Sequence, residues 1–317
     1  YAIQGTGNGH VSRALEIIPH LQELGEVDIL LSGTQSDIKL PFPVKYTYKG
    51  LSFIFGKNGG IDFLQTFQQL SSKEFLKNMQ HLPVEHYNLV LTDFEPLSAW
   101  SCYYKKVPCI ALSHQCAVLH KSAPKPKKKD PIGKAVLKYY APVTHKYGFH
   151  FASFDKHIFT PVIRKQVREM KPREGNHYTI YLPSFSDDKI LNMALYFEDI
   201  QWQVFSKHTH KPYEVKNVRI VPIQNEAFVE SMRTCKGVLC GAGFETPAEA
   251  LFLKKKLAVI PMKMQYEQQC NAEALKKMGV PVFKNLKQKR FNAIADWLAA
   301  EEKVVVEYAD STAAILQ

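Results

Sequence analysis

Strand-length apolar runs alternate with helix-length amphipathic segments along almost the whole chain, and this alternation restricts it to an α/β architecture built on parallel sheets. A short strand is expected at residues 1–4, followed by a helix whose apolar face carries Val11, Ala14, Leu15, Ile18 and Leu21 and which Gly25 stops. Further strands are expected at 27–31, 88–91 and 109–112, with a Phe-, Gln- and Gly-rich stretch at 51–70 forming a loop and helix over the first sheet. The run 121–130, with five lysines and two prolines, excludes regular structure. Past Pro172-Arg-Glu-Gly-Asn176 the alternation restarts. Strands are expected at 177–182, 202–206, 237–240 and 257–260, with helices at 188–197, 225–234, 246–253 and 268–278 and from 292 onward. The expected organisation is two doubly wound units, 1–160 and 161–317, the last helix free to cross back, with ligand held at the carboxyl ends of the strands in a cleft between them.

Forty-one Lys and Arg against 30 Asp and Glu leave a formal charge of +11, which points to nucleic acid, an anionic membrane surface or an anionic small substrate. No helix-turn-helix, RNP or zinc pattern accompanies the charge, so nucleic acid drops out. A hydrophobic content of 45% excludes global disorder. The six cysteines form no CxxC pair, and buried reduced thiols are the expectation. No apolar stretch approaches the ~20 residues that span a bilayer, and a cytoplasmic location is the simplest reading.

Two glycine-rich loops join strands to helices. The first, Gly5-Thr6-Gly7-Asn8-Gly9-His10, places His10 where a dinucleotide fingerprint needs its third glycine, and Ser32-Gly33 ends the second strand without a ribose-binding acid. An NAD enzyme is therefore disfavoured. Either the glycines serve a tight turn with positive φ, or the loop is a ligand loop with His10 poised as a neutral base in the first turn of the helix. Asp93, after the third strand, is the leading carboxylate to orient it; an Asx turn is the plainer reading of Asp93.

The second loop, Gly241-Ala-Gly243-Phe244-Glu-Thr246-Pro-Ala-Glu249, carries a Thr-x-x-Glu capping box, with Thr246 as N-cap and Glu249 at N3. Such a helix end offers free amides and a positive dipole to a diphosphate. Polar side chains crowd the following segment, Pro261 to Ala272.

Together the two loops resemble those of the GT-B glycosyltransferases, and the chain is similar to their family 1/family 28 group, including the peptidoglycan N-acetylglucosaminyl transferase, within a bacterial and archaeal subgroup. Gly7-Asn8-Gly9-His10 resembles the amino-terminal Gly-His loop, the 240–250 stretch the Gly-x-x-Thr-x-x-Glu donor motif, and Pro261 to Ala272 the Pro…Gln…Asn-Ala segment. The resemblance implies a GT-B fold of two Rossmann-like domains facing across a cleft. It implies that Glu249 takes the donor ribose, that the amides around Gly241, Gly243, Phe244 and Thr246 hold the diphosphate, and that Gln265, Glu267 and Gln268 read the sugar. His10 would be the base and Asp93 its orienting carboxylate. Gly7, Asn8, Gly9, His114 and Gln115 would line the acceptor side. The peptidoglycan enzyme has glycine near the Asp93 position, and the tryptophan that plant-type members stack on the base is not evident before Gly241.

The expected chemistry is inverting, metal-independent transfer from a nucleotide sugar, with UDP favoured as the commonest donor base and no other cofactor. A nucleotide-sugar epimerase or hydrolase of the same fold, and a non-catalytic nucleotide-sugar or glycan-binding protein, are the alternatives. The basic stretch from Lys121 to Lys138 reads either as a solvated loop or as a peripheral dock on an anionic membrane, which would suit a glycan or lipid-linked acceptor.

Overall fold

The structure is a computed structural model and describes residues 1–6, 8–33, 40–50 and 72–317. Gly7 and the loop and helix expected at 51–70 lie outside the described residues. Contacts divide the chain into two compact units. The first comprises Tyr1–Arg164 with Met264–Glu267 and Ala309–Gln317, the second Lys165–Lys263 with Gln268–Tyr308.

In the first unit β1 (Ala2–Gln4), β2 (Leu30–Ser32), β3 (Tyr46–Tyr48), β4 (Val90–Asp93), β5 (Cys109–Leu112), β6 (His145–Phe149) and β7 (Ile158–Phe159) form one sheet, among the described residues, in the order β3-β2-β1-β4-β5-β6-β7. Every pairing in it is parallel. The order reverses direction between β1 and β4, where Ile3 is in register with Asp93. Ligands of open parallel sheets bind at such a switch point. The Asn8–Leu24 helix covers β1 with the stripe Val11, Ala14 and Ile18 against Ile3 and Ile29. It continues through Pro19 to end just before Gly25. The terminal Thr312–Leu316 helix belongs to this unit.

The second unit holds β8 (His177–Tyr181), β9 (Gln201–Ser206), β10 (Tyr213–Val215), β11 (Val218–Pro222), β12 (Gly237–Gly241) and β13 (Lys256–Ile260) in the order β10-β11-β9-β8-β12-β13. Only β10 runs antiparallel, hairpinned onto β11 through Lys216, whose φ is +52°. This hairpin and β11 escaped the sequence analysis, because the short β10 is exposed on both faces and carries no alternation. β12 and β13 are buried along almost their whole length, as central parallel strands are. Trp202, Val204, Ile220, Leu239, Ile294 and Trp297 anchor the core.

Two lysines of the basic excess are structural here. Lys255 Nζ donates to the Arg173 and Cys235 carbonyls, and Lys256 Nζ donates to Leu298 O at 2.9 Å. Burial pulls both ammonium groups below their ordinary value. No described helix is long and apolar enough to cross a membrane.

Candidate active site

The carboxyl ends of β1, β2 and β3 are drawn together by small residues. Gly5 N donates to Ser32 O at 2.6 Å and Gly33 N to Tyr48 O at 3.0 Å. A Cβ on Gly5 would lie 3.0 Å from both the Ser32 and Gly33 carbonyl oxygens. Positive φ occurs at Gly33, not at Gly5, so Gly5 answers to close packing rather than to turn conformation. Gln4, at the end of β1, donates to Thr6 Oγ1 at 2.8 Å and to the Tyr140 hydroxyl at 3.1 Å.

This packing sets where the next helix begins. Asn8 and Gly9 are its first two residues and His10 its third. His10 Nδ1 lies 2.8 Å from Asp93 Oδ1, and the ring keeps 13% exposure while the carboxylate is fully buried. Asp93 is the last residue of β4, and the Asx-turn reading fails because both its oxygens are occupied by side chains. The second partner is Arg13. Its Nε donates to Oδ2 and its Nη2 to Oδ1, each at 2.9 Å. Arg13 is itself 3% exposed, with its guanidinium 5.5 Å from the centre of the Phe149 ring. Burial alone would raise the Asp93 carboxyl, but Arg13 and His10 overcome it and hold the group below the usual carboxylate range.

Phe94 follows with φ +59°, a left-handed conformation that costs ~1–3 kcal/mol and persists only where the surroundings enforce it. Here they do. Phe94 stacks on Tyr140 at 4.9 Å between ring centres, and Glu95 caps the Pro96–Lys105 helix, accepting from Leu97 N at 2.8 Å and Ser98 N at 2.6 Å. Ser32 Oγ also donates to Glu95, at 2.7 Å. Burial nonetheless pushes the Glu95 carboxyl above its ordinary value. The sharp turn between Asp93 and Glu95 thus lets one carboxylate meet the helix bearing His10 while the other caps the next helix.

His114 and Gln115 start the His114–Leu119 helix and are both buried. His114 Nδ1 lies 2.8 Å from Phe149 O, and its ring packs edge-on against His150 at 5.2 Å. Burial holds the His150 imidazole well below its ordinary value. Glu267, in the segment that groups with this unit, accepts from Gln115 Nε2 at 3.1 Å and lies 4.0 Å from His114 Nε2. Gln265 belongs to the same segment.

In the second unit the Glu245–Phe252 helix starts one residue before the expected N-cap. The capping box is not formed: the cap position is Phe244, which has no capping side chain, and Ala248 N already bonds to Phe244 O. Pro247 makes this possible, since a proline in the first turn forfeits no helical bond. Thr246 therefore lies inside the first turn, and Glu249 is buried at 4% exposure. Gly241 and Gly243 have ordinary backbone conformations; a Cβ on Gly243 would meet nothing within 4 Å, and one on Gly241 only Gln268 Oε1 at 3.8 Å. Side chains of the Tyr266–Lys277 helix strap the surrounding backbone. Asn271 Nδ2 donates to Ala242 O at 3.1 Å, Gln269 Nε2 to Met262 O at 2.7 Å, and Gln268 Oε1 accepts from Met262 N at 2.9 Å.

The first unit thus places a histidine beside a buried carboxylate at its switch point, and in the second unit a helix follows the glycine-rich end of β12. The family model described as glycosyl transferase family 1 matches residues 1–300. The chain belongs to glycosyl transferase family 1. It is a glycosyltransferase with the GT-B fold. Among solved structures, this transferase is similar to UGT2 of Phytolacca americana, complexed with UDP-2fluoro-glucose and pterostilbene, at 13% identity and a TM-score of 0.59 over 99% of this chain and 88% of that one. It is also similar to Os79 of O. sativa, solved with UDP, at 13% identity and a TM-score of 0.61 over 95% of this chain and 91% of that one. SnogD of Streptomyces nogalater aligns at 13% identity and a TM-score of 0.54, over 93% and 89%. No curated protein matches the chain in sequence.

Arg13, Glu95, Ser32 and Gln4 were not singled out from sequence. The signal for Arg13 was there: it stands three residues after His10, hence on the same helix face, among the apolar positions Val11 and Ala14.

Proposed function

We propose that this transferase moves a sugar from a nucleoside-diphosphate donor, with UDP as the favoured nucleotide, to an acceptor hydroxyl, with inversion at the anomeric carbon and without a metal ion. The observation that carries this reading is the 2.8 Å contact between His10 Nδ1 and Asp93 Oδ1. A carboxylate accepts only, so Nδ1 carries the proton and donates it to Asp93, and the lone pair of Nε2 is left for an acceptor hydroxyl. As the acceptor oxygen attacks the anomeric carbon, its proton passes to Nε2 and the bond to the leaving diphosphate breaks. General-base help of this kind is typically worth ~10²–10⁴ in rate.

The leaving diphosphate needs preorganised positive potential. The backbone amides at 243–246 and the dipole of the Glu245–Phe252 helix are suited to it, and the room above Gly241 and Gly243 admits a ligand close to the backbone. Glu249 is the carboxylate we assign to the donor ribose, and Gln265, Glu267 and Gln268 are the sugar-reading groups. His114 and Gln115 belong to the acceptor side.

The acceptor reading extends to a glycan or lipid-linked hydroxyl at an anionic surface. The Pro131–Tyr139 helix exposes Ile132 and Tyr139, with Lys138 Nζ 5.0 Å from the centre of the Tyr139 ring. Tyr103 is exposed beside Trp100, whose indole donates to Tyr140 O at 3.2 Å. Exposed aromatics among lysines suit a lipid headgroup layer. Lys125 is not part of that face, since its ammonium caps the preceding helix through the Val118, His120 and Ala123 carbonyls.

A thermal-shift screen across nucleoside diphosphates tests the donor reading, because a ligand at 100 times its dissociation constant stabilises by ~2.7 kcal/mol. Stabilisation by UDP and turnover of a UDP-sugar to the inverted glycoside are expected. A product that keeps the donor's anomeric configuration refutes the mechanism. Flotation with anionic but not neutral vesicles, lost in moderate salt, is expected of the surface reading.

A further inference from the structure

Arg13 occupies a position that a simple His–Asp pair does not need. In such a pair the buried carboxylate has one natural counter-charge, the imidazolium formed by its own histidine, so the carboxylate draws a proton onto the ring. Here the counter-charge is already in place. Arg13 covers both Asp93 oxygens at 2.9 Å, and its Nη2 also lies 3.2 Å from His10 Nδ1. A guanidinium has donors only. With Nδ1–H given to Asp93, the contact between Nη2 and Nδ1 sets a positive group against an N–H, which penalises a second proton on the ring.

We propose that Arg13 is a positioning residue that neutralises Asp93, so that the carboxylate orients His10 without charging it and the ring stays in its unprotonated, base-competent form. The inference rests on the reading of His10 as base for its purpose, but not for its test. From its own helix only Arg13 is in contact with the His10 ring nitrogens among the bonds described, and from β4 only Asp93. Phe94 stacks on the imidazole at 6.4 Å and carries no charge. The Tyr1 phenol and the Cys116 thiol lie within electrostatic reach of Asp93, and burial keeps both protonated. The Asp93–Arg13 pair therefore sets the local charge.

The experiment is a pH titration of the His10 ring nitrogens by NMR on ¹⁵N-histidine-labelled full chain, assigned with H10Q. In R13M the His10 signals are expected to titrate at a pH higher by ~1 unit or more, the effect of uncovering a neighbouring carboxylate. R13K, which keeps the charge and loses the fork, is expected to recover most of that shift. An unchanged or lowered titration in R13M overturns the proposal. Because R13M leaves a buried carboxylate uncovered and can fail to fold, the pair D93N and R13M/D93N gives a second test with no carboxylate to uncover, the double variant carrying neither buried charge. The double variant is expected to titrate above D93N, since the guanidinium beside Nδ1 is gone. Equal values overturn the proposal. Should the NMR shifts appear while H10Q retains turnover, the inference about Arg13 stands and the base assignment falls.

Discussion

The two glycine-rich loops look alike in sequence and do opposite things. Around the first loop the described glycines Gly5 and Gly50 are consumed by packing. Gly5 sits against the Ser32 and Gly33 carbonyls, and Gly50, with φ +66°, would bring a Cβ to 2.6 Å from Gly33 N. The groups that meet there are side chains, those of His10, Asp93 and Arg13. In the second loop Gly241 and Gly243 are required neither by conformation nor by neighbours, and it is a side chain, Asn271, that holds the loop backbone at Ala242, while Gln268 and Gln269 hold the nearby backbone of Met262. On the proposed reading its chemistry belongs to main-chain amides. On that proposal the net charge of +11 is not explained by the donor, because a diphosphate held by amides and a helix dipole asks for no lysines.

The largest effect expected from breaking this contrast is at His10. H10Q should lower turnover ~10²–10⁴-fold, the scale of general-base help, while nucleoside-diphosphate binding stays within about twofold. Kinetics beside a calorimetric titration separate the two; equal losses in both would place His10 in donor binding. Next comes the packed loop. G5A forces a methyl against two carbonyls fixed in the sheet, and overpacking of that kind costs ~1–3 kcal/mol, read as a lowered melting temperature with donor affinity kept. G243A should behave inversely. Its melting temperature should be unchanged, and UDP affinity should fall about tenfold, equivalent to ~1.4 kcal/mol. If G243A melted lower and bound normally, the second loop would be structural like the first and the contrast would collapse.

How far the sequence disclosed this arrangement depends on the range of the interaction. The α/β alternation and the main helices of the second unit were legible, because each follows from the spacing of its own apolar residues; the helix Asn225–Thr234 is found where the pattern puts it, whereas Lys73–His81, Pro96–Lys105, His114–Leu119 and Pro131–Tyr139 of the first unit went unread. His10 and Asp93 were legible as a pair because both end up beside carboxyl ends of parallel strands. Arg13 was legible in principle, since an arginine on a buried helix face demands an acid, but its partner lies 80 residues away. Glu95 reads locally as the residue before an N1 proline, a cap position, while its bond to Ser32 spans 63 residues and leaves no local trace. The capping box shows the reverse error. Thr246 and Glu249 satisfy the pattern, yet Phe244 O accepts the first helical bond, and the backbone decides where a helix starts.

The smallest effect sharpens the side-chain half of the comparison. Asp93 sits below its ordinary value in the folded chain, so folding favours its ionised form. The sign follows from linkage: the unfolded chain binds the proton more readily, and stability rises with pH wherever it does so. The contribution is fully present above the unfolded value of ~3.9 and is lost as pH falls through the lower, folded value. Glu95, raised by burial, works in the opposite direction. Its contribution is complete below the unfolded value of ~4.3 and declines as pH rises toward its folded one. Denaturant unfolding of the intact chain between about pH 3 and 6 mixes the two. D93N should abolish the acid-side loss and leave the Glu95 slope, at an overall cost of ~3–5 kcal/mol for stranding the buried Arg13. E95Q should leave the acid-side loss and abolish the other slope. If D93N kept the acid-side dependence, the carboxylate under His10 would not be the ionised partner that the fork of Arg13 requires.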